Sequence, residues 1–300
     1  MRRIKLTVAY DGTNYCGWQV QPNGITVEEV LNRALSALTG TKVNVIGASR
    51  TDSGVHARGN VAVFDTDSPI PPDRISYAVN QKLPDDIVVV KSEEVPKDWH
   101  PRYQNSVKTY EYHILNAKMP DPTRRYTTYF VSYHLDLEQM RKAAGYLVGE
   151  HDFASFCNIH TDVEDTVRTI YELTVEKSGE DLTIRVRGNG FLYNMVRIIA
   201  GTLLQVGRGF YTPEDVRGIL ETKDRESAGV TAPPHGLMLM RIEYEKDLDK
   251  SEGDGEATDT EKRLGREQVV ISGENRKLPA DERRMIPHMA NTSRSCAPNT

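Results

Sequence analysis

The order of predicted strands and helices limits the fold of this chain more than any other feature, because nearly the same order occurs twice. Hydrophobic residues alternate with polar ones at residues 4–10 and recur at helical spacing after Thr26. Each half of residues 1–245 then follows the order β-α-β-β-α-β or nearly so, which is typical of ferredoxin-like domains. We therefore predict an α/β (α+β) fold of two ferredoxin-like halves, residues 1–104 and 105–245, with a central cleft between them.

Local signals place the boundaries of several elements. Thr26 and Glu29 have the spacing of a capping box, and Gly40 is suited to end the helix that follows. Thr212 followed by Pro213 indicates the start of a later helix. The predicted strands are residues 4–10, 42–46, 60–64, 86–95, 106–115, 127–132, 168–175, 182–187 and 238–244, and further helices are predicted at 72–82, 136–148 and 192–206.

Residues 246–300 differ from the rest of the chain in composition. They contain no Phe, Trp or Tyr and carry many charged residues with scattered Gly, Ser, Asn and Pro. A segment of this kind buries too little apolar surface to offset the entropy lost on ordering. We predict a mostly disordered C-terminal tail, with the alternative that residues 269–273 form a short docked strand.

Composition argues against several classes of protein. The three cysteines are far apart and the histidines show no metal-ligand spacing, so neither a disulfide framework nor a metal site is predicted. The first residues lead directly into strand-like sequence rather than a signal peptide, and no hydrophobic run approaches the length of a membrane span. We expect a cytoplasmic protein. The net charge of −5 argues weakly against a nucleic-acid partner, because cations gathered on one face can outweigh the overall balance.

Residues 47–64, GASRTDSGVHARGNVAVF, form the most informative segment. Asp52 lies between Arg50 and Arg58 and close to His56, among glycines that permit a sharp turn. Neighbouring cations favour an ionised carboxylate, so we expect a lowered pKa for Asp52, which suits a nucleophile or an electrostatic stabiliser rather than a proton donor. The alternative is a surface loop in which the aspartate caps a turn and the arginines are solvated.

Two further places carry polar groups that a structural role does not require. Tyr110 and Tyr112 alternate with charged residues on one predicted strand, where they would either pack in the core or stack on a base. Arg197 lies in an apolar helix, where burial is costly unless a carboxylate pairs with it. Asp52 is the expected partner, and a local contact with Asn194 or solvent is the alternative.

Six blocks of sequence, taken in order, resemble the tRNA pseudouridine synthase A family. They extend the resemblance over residues 4–244 and leave the tail outside it. The blocks are RTDSGVHA from Arg50, WHPRYQNSVKTYEYHI from Trp99, GEHDFASF from Gly149, VRTIYELTV from Val167, GNGFLYNMVRIIAGTLLQVGRG from Gly188 and TAPPHGLMLMRIEY from Thr231.

The resemblance implies an enzyme that isomerises uridine to pseudouridine in the anticodon stem-loop of tRNA, at tRNA positions 38, 39 and 40. It also implies a pseudouridine synthase fold, no cofactor, and a homodimer that holds tRNA across both subunits. By motif position, Asp52 matches the catalytic aspartate and Arg50 the arginine that displaces the target base. Tyr110 matches the tyrosine that lies against the uracil, and Arg197 the arginine that pairs with the aspartate. Asn194 departs from the histidine that many relatives carry there.

Basic residues are the expected contacts for structured RNA, which proteins recognise mostly by shape and phosphate. Arg50, His56, Arg58 and Arg168 are predicted to bind the RNA or displace the target base. Further candidates for the basic surface are Arg2, Arg3, Lys5, Arg102, Lys108, Arg124, Arg125 and Arg208.

The implied chemistry needs neither a metal nor a redox step. The uracil leaves C1′ through N1, rotates, and rejoins through C5, after the uridine is flipped out of its stack at a cost of roughly a few kcal/mol. Ionised Asp52 would attack C1′ or assist glycal formation, and the sequence does not choose between these routes. Two alternatives stay open: an RNA-binding protein without catalysis, and a nucleoside glycosidase, which would need a second acid near Asp52.

Overall fold

The computed structural model describes residues 1–158 and 164–245. The tail predicted at residues 246–300, with its alternative strand at 269–273, lies outside the described residues. Among the described residues, no helix combines the length and apolar character needed to cross a membrane.

The described part of the chain forms ten β-strands and five α-helices. The strands are β1 (Arg2–Tyr10), β2 (Ile46–Gly47), β3 (His56–Thr66), β4 (Ile87–Val95), β5 (Ser106–Asn116), β6 (Tyr129–Val131), β7 (Gly149–Asp152), β8 (Val167–Ser178), β9 (Asp181–Gly188) and β10 (Leu237–Tyr244). The helices are α1 (Val27–Thr39), α2 (Ile75–Asn80), α3 (Leu137–Gly145), α4 (Met195–Gly207) and α5 (Pro213–Thr222).

All ten strands belong to one sheet, in the order β4-β1-β3-β10-β5-β9-β8-β7, with β2 paired to β3 and β6 to β5. The sets β4-β1-β3-β2 and β10-β5-β9-β8 repeat one pattern, in which the first strand of a unit lies between its last and its third. This repeat confirms the two ferredoxin-like halves of the predicted α/β fold. Parallel pairing of β3 with β10, where Met238 lies opposite His56, makes the sheet continuous. The division into domains at residues 104 and 245 stays a prediction.

Alternation along β1 shows how the sheet acquires its buried face. Ile4, Leu6 and Val8 are fully buried, whereas Lys5 points to the other face and is half-buried. Leu31 of α1 belongs to the same hydrophobic core. The period-two pattern of this strand is therefore the pattern of a sheet with helices on one face.

Both predicted helix caps form, but only the cap of α5 makes both hydrogen bonds of a capping box; the cap of α1 makes one. The Thr26 hydroxyl accepts a hydrogen bond from the Glu29 backbone N–H (3.3 Å), but the Glu29 carboxylate pairs with Arg33 instead of returning to the cap. At α5, Thr212 and Asp215 make both bonds of the capping box. In α1 the ion pair of Glu29 with Arg33 thus replaces the second bond of the capping box.

The strand predicted at residues 42–46 is reduced to the two residues of β2. The backbone N–H groups of Val43 and Val45 donate to the Ser36 hydroxyl (2.9 Å) and the Asn32 side-chain oxygen (2.8 Å). These side chains of α1 take the place of a neighbouring strand, so the segment stays extended but unpaired.

Other boundaries shift by a few residues. Strand β3 begins at His56 rather than residue 60, helix α4 begins at Met195, and the predicted helix at 72–82 contains only α2 after a short 3-10 turn. Strand β7 was not predicted. It pairs with β8 at the end of the sheet, and its polar residues lack the alternation that marks a strand with one buried face.

Candidate active site

The loop at residues 48–55, between β2 and β3, is fixed by the loop that follows β1. The backbone N–H of Trp18 donates to the Thr51 carbonyl oxygen (3.0 Å). Gly17 has a φ of 80°, and a Cβ at this position would lie 2.6 Å from the same carbonyl oxygen. Glycine is needed here both for the left-handed backbone and for the close approach of the two loops.

A buried hydrogen-bond network holds the residues just before Asp52. The hydroxyls of Tyr10 and Thr51 are 2.7 Å apart. The Asn60 amide donates to the Ser49 carbonyl oxygen (3.0 Å) and the Tyr10 hydroxyl (3.3 Å), and its oxygen accepts from the Ser49 N–H (3.3 Å). With the preceding residues fixed on their buried side, the Asp52 side chain lies at the pocket wall, 17% exposed.

The carboxylate of Asp52 pairs with Arg197, which is 145 residues away in sequence. Arg197 Nη1 donates to Asp52 Oδ2 (3.2 Å) and to Asn194 Oδ1 (2.9 Å), and its Nε donates to the Ala232 carbonyl oxygen (2.8 Å). Both contacts weighed from the sequence therefore form together. The guanidinium group is held on three sides and can orient the carboxylate without moving itself.

Tyr110 lies on β5 and forms another part of the pocket wall. Its ring is 8% exposed and packs edge-on against Phe191, with the ring centroids 5.3 Å apart. Burial raises the pKa of the Tyr110 phenol to about 12; the nearby Asp52 charge contributes to the rise, and a hydrogen bond with Ser49 opposes it. The hydroxyl is therefore protonated at neutral pH.

These groups line a pocket of about 780 Å³, within the size range of small-molecule sites. Its wall includes Asp52, Tyr110 and residues 191–196, and it carries the basic residues Arg50, Arg102, Lys108 and Arg168. Among the described residues, no cluster of three or more His, Cys, Asp or Glu side chains is placed to hold a metal ion.

Comparison with known proteins assigns the chain to a family. The family model described as tRNA pseudouridine synthase matches residues 6–104 and 143–245. This chain belongs to the tRNA pseudouridine synthase family. A tRNA pseudouridine synthase A of Thermoanaerobacter sp. (strain X514) is 51% identical over 244 residues, which are 81% of this chain and 100% of the relative. That of Bacillus subtilis (strain 168) is 48% identical over 245 residues, 81% of this chain and 99% of the relative.

Among solved structures, the chain is similar to one from a Cbf5-Nop10-Gar1 complex, with 14% identity and a TM-score of 0.33. The similarity covers 79% of this chain and 48% of the other. The family membership follows from the sequence relatives, and this structural likeness adds nothing to it.

The pKa of Asp52 in this family member differs from the sequence prediction. Burial raises the pKa, and the charge and hydrogen bond of Arg197 lower it without cancelling the effect of burial. The predicted lowering was wrong because the cations close in sequence do not offset burial. Arg50 and Arg58 are exposed, so solvent weakens their effect on the carboxylate.

Two of the predicted RNA contacts lie outside the pocket wall. His56 is 2% exposed, its Nδ1 accepts from the Gly12 N–H (3.1 Å), and its Nε2 lies 3.2 Å from the His235 carbonyl oxygen. His56 therefore joins the end of the Asp52 loop to the segments that contain Gly12 and His235. Arg58 is exposed on β3; burial lowers the pKa of the His113 imidazole, and the charge of Arg58 adds to that lowering.

Two site residues deserve more weight than their sequence positions suggested. Asn194 has a φ of 62° at the start of α4 and accepts a hydrogen bond from Arg197, so it positions the partner of Asp52. Lys108 was only one of many basic candidates. Because side chains alternate along a strand, its place two residues before Tyr110 could have assigned it to the same pocket.

Proposed function

We propose that this protein isomerises uridine to pseudouridine in the anticodon stem-loop of tRNA, at tRNA positions 38, 39 and 40, with Asp52 as the nucleophile. The observation that carries the proposal is the Asp52–Arg197 pair at the wall of a nucleotide-sized pocket. The names of the relatives support tRNA as the substrate. The three positions rest on the family resemblance described above.

The reaction begins with extrusion of the uridine, because a stacked base is out of reach of a side chain in a pocket. Arg50 lies exposed at the pocket wall, where it can occupy the space that the uridine leaves and contact phosphate. Because Arg50 lies two residues before Asp52, one loop would carry both the residue that displaces the base and the residue that attacks the sugar.

Asp52 then acts on the glycosidic bond. In one route a carboxylate oxygen bonds to C1′ as the C1′–N1 bond breaks and its electron pair goes to the uracil. In the other, the carboxylate removes the C2′ proton and a glycal forms. In both routes the C1′–N1 bond breaks, the detached uracil rotates, and C5 bonds to C1′. This step breaks the ester bond between C1′ and Asp52 in the first route, and in the second route Asp52 returns the proton to C2′. The C5 proton then moves to a base and N1 gains a proton. Burial raises the pKa of Asp52, and Arg197 opposes this rise and so favours the ionised carboxylate that either route needs.

Tyr110 supplies a wall for the uracil ring. Its own ring is fixed by Phe191, so a base can lie against it without a loss of side-chain freedom. With a pKa of about 12, the phenol is a poor proton acceptor at neutral pH unless it passes its own proton on at the same time. We therefore assign Tyr110 a positioning role first and C5 deprotonation second.

Of the predicted RNA contacts, Arg50 and Arg168 lie at the pocket wall, and we propose that both contact the tRNA. A homodimer that holds tRNA across both subunits, and a cytoplasmic location, are also proposed from the resemblance. Sedimentation of the free protein and of its tRNA complex measures the number of subunits in each.

The function is tested by incubating the protein with unmodified tRNA transcripts and mapping pseudouridine with carbodiimide. The wild type should convert uridine at positions 38, 39 or 40, and a transcript with cytidine at those positions should gain none. Asp52→Ala should abolish conversion while tRNA binding is kept. Asp73→Ala is the matched control, because this exposed carboxylate lies outside the pocket wall.

Three results would contradict the proposal in different ways. Conversion by Asp52→Ala at the wild-type rate would remove the assigned nucleophile. Binding of tRNA by the wild type without conversion would indicate an RNA-binding protein. Release of free uracil would indicate a glycosidase.

A further inference from the structure

Three cations lie together on the wall of the Asp52 pocket. Arg102, Lys108 and Arg168 line it, and Lys108 feels the positive charge of both arginines. The protein as a whole carries a net charge of −5. This part of the pocket therefore has the opposite sign to the molecule, which indicates an anionic ligand.

Lys108 stands at the centre of this cation group. It is half-buried on β5, on the same side of the strand as Tyr110, and its Cα lies about 7 Å from that of Tyr110. Among the described residues, no carboxylate forms an ion pair with it. Burial and the two arginines lower the pKa of its ammonium group, so its charge is held at a cost in the free protein.

The two arginines are anchored by backbone oxygens and not by carboxylates. Arg102 Nε donates to the Gly47 carbonyl oxygen (3.0 Å), and Arg168 Nη1 donates to those of Asp165 (3.0 Å) and Val167 (2.6 Å). These bonds fix the guanidinium groups but leave their charge unneutralised within the described part of the chain. Elsewhere in the same sheet, Lys5 pairs with Glu93 and Arg185 with Glu111.

We infer that Arg102, Lys108 and Arg168 form a phosphate seat, which binds one phosphodiester group adjacent to the extruded uridine. The inference rests on the proposed function, because it takes RNA as the ligand of the pocket. A nucleotide that flips into the pocket rotates about its backbone and brings its own phosphates to the wall. Phosphate oxygens accept from ammonium and guanidinium donors, and an anion here removes the repulsion among the three cations.

The phosphate seat has a definite task beside Asp52. Two rigid points, the uracil wall at Tyr110 and the seat at Lys108, lie about two residues apart on one strand. A nucleotide held at its base and at its phosphate has its sugar fixed between them. Binding of the phosphate therefore orients C1′ toward the Asp52 carboxylate, so that the reacting atoms are held in position.

The test measures tRNA affinity against salt concentration for Lys108→Met, Lys108→Arg and the wild type. Each phosphate contact contributes about 0.7–0.9 to the slope of log K against log salt, so Lys108→Met should lower the slope by about that amount. It should weaken binding at low salt by about tenfold. Lys108→Arg should restore both. Lys82→Met is the matched control, since Lys82 is exposed and lies outside the pocket wall.

A second measurement identifies the group that is bound. Anticodon stem-loop RNAs are prepared with one uncharged methylphosphonate, either 5′ or 3′ of the target uridine. At one of these positions the methylphosphonate should lower the affinity of the wild type. At the same position it should not lower the affinity of Lys108→Met, which has already lost the contact. Lys108→Met should also melt no lower than the wild type, because it removes an unpaired, half-buried charge, so misfolding does not account for the loss.

A salt-dependence slope for Lys108→Met equal to that of the wild type would overturn the phosphate seat. The seat would also be overturned if methylphosphonates at both positions lowered the affinity of Lys108→Met as much as that of the wild type. If these results appear while the wild type converts uridine, the seat fails and the proposed function stands. If the seat behaves as expected but the wild type converts no uridine, the proposed function fails and the seat remains a phosphate site for RNA.

Discussion

Replacing Arg197 with methionine should move the acidic limb of the pH–rate profile to higher pH. As the proposed nucleophile Asp52 must be ionised, and burial already raises its pKa. Arg197 is the cation that opposes this effect, through a contact of 3.2 Å between Nη1 and Oδ2. Without it, a larger fraction of Asp52 is protonated and inactive at any moderately acidic pH.

The size of the shift follows from the geometry of the pair. Two unit charges 4 Å apart interact by about 4 kcal/mol at an effective dielectric constant of about 20. The Asp52–Arg197 pair is 17% and 14% exposed, and Nη1 divides its hydrogen bonding between Asp52 and Asn194, so we expect about 1–3 kcal/mol. Since 1.36 kcal/mol corresponds to one pH unit, the limb of Arg197→Met should move up by about 1–2 units.

The assay is single-turnover conversion of a tRNA transcript from pH 5 to 9, with pseudouridine measured by carbodiimide mapping. Arg197→Lys is the control, because it keeps the charge but lacks the fork that reaches Asn194 and Ala232 together. Its limb should stay closer to the wild type. Equal limbs in the wild type and Arg197→Met would refute the reasoning, since Asp52 would then not depend on this cation.

Three further predictions concern the same pocket. At pH 7, Asp52→Asn should raise the melting temperature while abolishing conversion. The pKa of Asp52 is higher in the folded than in the unfolded protein, so the stability that the protonated side chain contributes is lost as pH rises through the folded pKa. The gain in melting temperature should therefore vanish below about pH 3.9, where the carboxyl is protonated in both states. A gain in melting temperature that persists there would contradict this origin. Tyr110→Phe keeps the ring contact with Phe191 and should slow turnover without weakening tRNA binding, and in the wild type no rate change from the phenol should occur between pH 8 and 10. Asn194→Gly should lower the rate by loss of the bond to Arg197, and Asn194→Ala should lower the rate equally but melt lower, because φ is 62° there; equal melting curves would contradict the role of the backbone.

Local patterns predicted the elements whose environment is set by near neighbours. The alternation of β1 and the cap at Thr212 depend on side chains a few residues apart, and both formed as expected. Gly40, with a φ of 71°, ends α1 where predicted. The strand at 42–46 was overpredicted because Asn32 and Ser36 of the preceding helix bind its N–H groups, a competition that hydrophobic periodicity does not record.

Site properties that depend on distant segments could not be read from the chain. The motif indicated Asp52, but its pKa depends on how deeply other segments bury it, and that direction was predicted wrongly. His56 was predicted to contact RNA, but its ring is buried against the Gly12 N–H and the His235 carbonyl oxygen, which belong to segments far from it in sequence. The pairing of Arg197 with Asp52 could be named as an expectation only, because it joins residues 145 positions apart.

The joining of the two halves of the sheet explains why Asp52 acquires its properties. Its loop leads into β3, Tyr110 lies on β5, and β10 fills the place between these strands by pairing with both. Arg197 is fixed to the Ala232 carbonyl oxygen a few residues before β10, so the strand that joins the halves also sets the partner of Asp52. Asp52 lies in a loop of the first half, and the cation that limits the rise of its pKa lies on α4 of the second half. A carboxylate that is shielded from solvent but paired with a fixed guanidinium group is more reactive once ionised than an exposed one, which suits the nucleophile proposed here.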